Sequence, residues 1–154
     1  MSRHEIVFTI HHNRYFESYL CTFWGRVDRV ITFGQLLLGT IIFAQVSGTF
    51  IYGALVTVLS LFAVVYSPAE KAIKADNQTG KYAQLIALSE TMSDEELIEK
   101  SNELGLTDSD PIGLFYGPSH LRAAIRLDLD TNYVRPLTRL EKIFAWIGGD
   151  LPRP

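Results

Sequence analysis

The chain has 154 residues, with 14 lysines and arginines against 17 aspartates and glutamates, and a formal net charge of −3. That balance excludes the strongly basic footprint of a nucleic-acid-binding domain, and the single cysteine, Cys21, excludes an internal disulfide. Apolar residues make up 47% of the chain but are concentrated: residues 30–69 run for 40 positions without one Asp, Glu, Lys, Arg or His, more than a soluble helix or strand of ordinary length needs.

Residues 1–26 read as a cytoplasmic N-terminal arm and lead-in helix. Arg3, Arg14, Arg26 and Arg29 interleaved with Glu5, Glu17 and Asp28, and no long apolar core, do not read as a cleaved signal peptide. Glu5 to Ile10 is rich in β-branched residues and reads as a short strand or an irregular arm. His4, His11 and His12 read as a solvated face rather than a metal site, because adjacent histidines seldom converge on one ion and no Cys or acidic cluster has ligand spacing. From His12 on, Tyr15, Phe16, Tyr19, Leu20 and Phe23 fall on one helical face, with Gly25 the only weak point and Cys21 an apolar filler.

Residues 27–67 read as a transmembrane helical hairpin, since a single crossing takes about 20 residues. Its turn is placed at residues 45–49 (Gln45, Val46, Ser47, Gly48, Thr49), the densest polar and flexible cluster inside the uncharged run. Residues 27–44 and 50–67 are then two short spans, and Pro68 restarts the chain as a new helix at the membrane surface. Each span carries a small or polar stripe: Thr32, Gln35 and Gly39 with Thr40 on the flank, and Gly53, Thr57 and Ser60. Such stripes serve helix packing or line an aqueous path in an oligomer, and Gln35 is the most polar group of the first span.

Trp24, Arg26, Arg29, Tyr66, Lys71 and Lys74 are the expected membrane-interface residues. Lys and Arg flank both outer ends and none sits in the turn, so both termini are expected to be cytoplasmic, which in a bacterium means a multi-pass inner (cell) membrane protein.

Residues 68–154 read as a cytoplasmic helical domain. A helix from Pro68 to about Glu90 uses Tyr82, Leu85 and Ile86 inward, and a bend within Asn77 to Gly80 would bring the out-of-phase Ile73 into line. Ser93 and Glu96 form a capping box for a helix carrying Leu97, Ile98 and Leu104, with Gly105 as its C′ residue. The segment from Thr107 to Pro111, with Asp108 and Asp110, reads as a solvated turn. Residues 119–129 read as a helix with Leu121, Ala124, Ile125 and Leu129 inward and Arg122 and Arg126 outward, and residues 137–147 as a final basic helix ended by Gly148 and Gly149. That last helix, with Trp146, either lies on the inner leaflet or covers the cytoplasmic helices.

The expected fold is an all-α membrane protein: a two-helix transmembrane hairpin with an amphipathic N-terminal lead-in helix and a small cytoplasmic helical region. No Gly-rich phosphate loop, zinc helix, nucleophile elbow or repeat is present, and His120 has no visible triad partner. The sequence thus offers no enzyme, no catalytic or metal residue and no cofactor, and the expected partners are the lipid bilayer and further copies of the chain.

The order of parts resembles the SLATT group of bacterial and phage two-transmembrane proteins (SMODS and SLOG-associating). The features that carry it are the aromatic, basic lead-in (Arg14, Tyr15, Phe16, Trp24, Arg26), the uncharged hairpin, the helix from Pro68, the capped helix from Ser93, the Asp110 and Pro111 loop, and Leu121 to Ile125. Together they span residues 12–147. The resemblance implies a homo-oligomeric inner-membrane pore-forming or membrane-perturbing effector, in phage defence or superinfection exclusion, and, since this chain shows no sensor domain of its own, a separate sensor or activator protein. A structural phage or prophage membrane protein that anchors a cytoplasmic or virion partner is the alternative. A holin-type lysis protein fits less well, given the large cytoplasmic part.

Overall fold

The computed structural model describes residues 2–43 and 48–153, and every regular element among them is helical. Helix α1 (Arg3–Phe43) is one unbroken 41-residue helix. The strand or irregular arm expected at Glu5 to Ile10 is therefore corrected: these residues are the first turns of α1. Their β-branched side chains cost a helix only tenths of a kcal/mol each, whereas Ile6 and Ile10, one turn apart, are buried against Tyr82, Leu85 and Leu97. Burial of two such side chains, at about 1.5–3 kcal/mol each, decides the conformation.

Helix α2 (Thr49–Tyr66) follows Gly48, whose φ of 90° is the left-handed conformation that favours glycine. Gln45, Val46 and Ser47 of the expected turn lie outside the described residues. None of the 18 residues of α2 is buried. Among the described residues one helical segment, Thr49–Thr91, is long and apolar enough by length and composition to cross a membrane, and its apolar part is α2. The uncharged part of α1 is described over residues 30–43, short of the roughly 17–25 residues a spanning helix takes.

Ser67, at φ 42° and ψ 57°, breaks the chain between α2 and helix α3 (Pro68–Leu88), and Pro68 occupies the first turn, as the sequence suggested. No break separates Asn77 from Gly80. Ile73 simply points outward, 62% exposed, so its phase needs no bend. Helix α3 runs back along α1: Ala72 lies near Gly25, and Asn13 Nδ2 donates to the Tyr82 hydroxyl at 3.3 Å.

Helix α4 (Asp94–Gly105) has the predicted box, Ser93 Oγ accepting from Glu96 N at 3.3 Å and Glu96 accepting from Ser93 N at 3.0 Å. Arg3 pairs with Asp94 and with the Ser89 carbonyl, tying the two chain regions together. Gly105 is not the C′ residue. It is the last helical residue, and tight turns closed by Leu106 N to Glu103 O and Thr107 N to Leu104 O take up the terminal carbonyls, so no left-handed residue is required.

Helix α5 (Tyr116–Arg126) starts and ends three residues earlier than expected, stopped before Asp128 at φ 53°. Helix α6 (Arg139–Ile147) starts after Thr138, which forms a second capping box with Glu141. Among the described residues the core has two clusters along α1. One joins Ile6 and Ile10 to α3 and α4, and the other joins Tyr19 and Leu20 to Ala75, Phe115 and Ala145.

Candidate functional site

Three groups of residues lie in order along α1: a polar pair far along it, a ring of cations and aromatics before its uncharged part, and a cleft at its N-terminal half.

Of the seven stripe residues, the structure brings two together. Gln35 Nε2 donates to Ser60 Oγ at 3.0 Å, and that hydroxyl donates to Val56 O at 2.9 Å. The close approach is made by Gly34, which the sequence reading missed: a Cβ there would stand 3.2 Å from Leu59 Cδ1. Its place next to Gln35 was the available signal. Thr32, Thr40 and Thr57 are exposed, the last two returning their hydroxyls to Leu36 O and Gly53 O at 2.9 Å, as is common where no other acceptor is near. A Cβ added at Gly39 or Gly53 would meet nothing within 4 Å, so the surface at both positions is open.

The ring centres on Lys71. Its Nζ lies 4.6 Å from the centroid of Trp24 and 5.8 Å from that of Tyr66, so one ammonium joins the aromatics of α1 and α2. Arg26 Nη1 donates to the carbonyls of Trp146 and Ile147 at 3.0 and 2.8 Å, closing the C-terminal end of α6 as a cation closes a helix dipole. Arg29 is exposed. Lys74 faces elsewhere, donating to Asp108 O at 2.7 Å.

The cleft, of about 460 Å³, is lined by His12, Phe16, Glu17, Asp108, Asp110 and Tyr116 among others. The loop expected to be a solvated turn is solvated only in part. Asp110 is exposed, but the Asp108 carboxylate accepts from the Tyr82 hydroxyl at 3.0 Å and from Gln78 Nε2 at 2.8 Å. Sequence reasoning missed this latch because its members lie 26 or more residues apart on α3 and the loop. Burial, reinforced by Asp108, holds the Tyr82 hydroxyl well above the usual tyrosine range.

Glu17 is 1% exposed; its Oε1 accepts from Ser109 N at 2.8 Å, and Oε2 has no partner among the described residues. Burial raises its carboxyl above the ordinary range, partly offset by the Ser109 bond. His12 is pushed down to about 4 by burial and by His120 beside it, so the ring is neutral at physiological pH. The solvated face read from the sequence is corrected for His11 and His12, both buried because the α5 side of α1 is covered. Ser119 Oγ donates to Tyr116 O at 2.9 Å, so its 3.2 Å contact with His12 Nδ1 is satisfied by the tautomer that carries the proton on that nitrogen. With its proton committed and its oxygen fully buried, Ser119 is a packing hydroxyl.

In comparisons with known proteins, no family model, curated protein or solved structure matches this chain.

Proposed function

We propose that the chain is a two-span inner-membrane protein, both termini cytoplasmic, that assembles with copies of itself and perturbs the bilayer when its cytoplasmic helices receive an activating partner. The observation that carries this reading is the inside-out arrangement of α2 and the uncharged part of α1. Val30, Phe33, Leu36, Phe50, Ile51, Val64 and Val65 all point outward, while the polar pair Gln35 and Ser60 points inward. In water such a surface far exceeds what a monomer tolerates, and in hydrocarbon it is the favoured one. The open surfaces at Gly39 and Gly53, beside exposed Thr40 and Thr57, are where a second copy's helix can approach closely. The resemblance to SLATT proteins, read from the lead-in, uncharged run and capped helix, supports an effector role in phage defence or superinfection exclusion.

The test is induced expression, together with the product of a neighbouring gene as activator, in cells carrying a potential-sensitive dye. The wild type should depolarise the cells and stop growth, and Gly39→Leu with Gly53→Leu should abolish both while leaving the chain in the membrane. Unchanged potential and growth, with only monomer trapped by cross-linking, would sink the proposal.

A second reading has its own support. The bond between Gln35 and Ser60 gives the most polar spanning side chain a partner within one chain, which suits an anchor whose cytoplasmic helices hold a phage or virion partner. Stoichiometric recovery in purified particles, with no change in permeability, would favour that reading.

A further inference from the structure

Helix α6 turns one side inward and leaves the other uncovered. Ala145 and Glu141 are buried, and Phe144, at 5.9 Å from each, stacks on Phe23 and meets Phe115 edge-on. On the opposite side Trp146 is 69%, Leu140 60% and Ile143 52% exposed, with Arg139 and Lys142 exposed among them. A nine-residue helix that shows solvent three large apolar side chains beside two cations is amphipathic twice over, once toward the core and once away from it.

Its position says what the second side meets. Arg26 grips the carbonyls of Trp146 and Ile147 four residues before the uncharged run begins at Val30, about 6 Å along α1 at ~1.5 Å per residue. A second tie lies beside it: Gly149, at φ 96°, stands where a Cβ would be 3.0 Å from the Thr22 methyl. The same stretch of α1 carries Trp24, held to Tyr66 through Lys71. Trp146 thus shares its level with the other aromatics and cations at the mouth of the apolar segment.

We infer that the C-terminal end of α6 rests in the headgroup layer of the cytoplasmic leaflet, with Trp146 inserted at the boundary and Arg139 and Lys142 facing anionic lipid phosphates. A tryptophan carries an apolar body and one N–H donor, which suits a layer that is apolar on one side and wet on the other. The two cations add attraction to an anionic surface and little to a neutral one. This deepens the spanning reading and rests on it.

The experiment uses the full chain in vesicles of phosphatidylcholine with one-third phosphatidylglycerol, with and without lipids brominated near the headgroup end of the acyl chains. Trp24→Phe leaves Trp146 as the sole tryptophan, and it should lose about half its emission to the brominated lipid, as an interfacial indole does. Replacing Arg139 and Lys142 by serine should weaken that quenching in anionic vesicles and leave it unchanged in pure phosphatidylcholine. A second reporter, Trp24→Phe and Trp146→Phe with Phe33→Trp, places the only indole in the apolar part of α1 and reads the spanning reading by itself. Quenching of the Phe33→Trp reporter with none at Trp146 overturns the inference and leaves the spans standing. No quenching at either position overturns both. Quenching at Trp146 that ignores the two cations retains the insertion and overturns the phosphate contacts.

Discussion

Glu17, in the N-terminal half of α1, accepts the backbone N–H of Ser109 at 2.8 Å, a bond that spans 92 residues of chain. Because the carboxyl is buried and its folded-state pKa is raised, it favours the folded state at low pH and loses that favour as pH rises through its folded pKa. Glu17→Gln keeps an acceptor for Ser109 without a buried charge and should raise the melting temperature at neutral pH. Glu17→Ala leaves the amide unpaired beside a cavity and should cost about 2–3 kcal/mol. Thermal unfolding of the two variants in detergent separates them, and equal behaviour would show that the bond carries nothing.

Tyr82 is fully buried and holds the loop through Asp108. Tyr82→Phe keeps the packing and removes the donor, so it should cost about 1–2 kcal/mol and speed amide exchange at Ser109. Exchange confined to α4, with the loop unaffected, would place the latch elsewhere.

Two glycines should respond to alanine with opposite signs. At Gly148 a Cβ would meet Tyr19 Cδ1 at 2.6 Å and Phe115 Cε1 at 3.0 Å, both part of the rigid aromatic stack, so Gly148→Ala should destabilise by about 1–3 kcal/mol. Gly80 lies inside α3 with nothing within 4 Å, and Gly80→Ala should stabilise by about 0.5–1 kcal/mol. Melting temperatures of the pair, measured side by side, check both.

His12 sets an acid limit. Its folded pKa of about 4 lies below the ordinary 6.5, so the unfolded chain binds the proton more readily and stability falls as pH drops from about 6.5 toward 4. The loss from this one ring is on the order of 3 kcal/mol. Glu141, held near 2 chiefly by Arg135, acts in a separate window, losing its contribution only as pH falls below about 4.5. His12→Phe should flatten the upper part of the stability–pH curve and leave the lower part, as read by thermal unfolding at stepped pH.

What the residues revealed in advance was local. The capping box at Ser93, the restart at Pro68 and the Tyr82 and Leu85 face each follow from spacings of four residues or fewer, and each is present. The Thr138 and Glu141 box has the same spacing and could have been read in the same way. What the sequence concealed was long-range. Ile6 and Ile10 look like strand residues until α3 and α4 cover them, and His11 and His12 look solvated until α5 lies across them. Ile73 demands a bend only if every apolar side chain must face inward, and this one does not. The partners of Glu17, Asp108 and Arg26 come from distant segments, so no periodicity announces them.

The unbroken course of α1 has a mechanical meaning. From Tyr19, clamped in the aromatic stack, to Phe43 the helix extends about 36 Å at ~1.5 Å per residue. With no hinge between them, a tilt of about 10° at the clamp carries the far tip sideways by about 6 Å, roughly half a helix diameter. The cleft of His12 and Glu17 sits within two turns of that clamp, so cleft and far tip belong to one continuous rod.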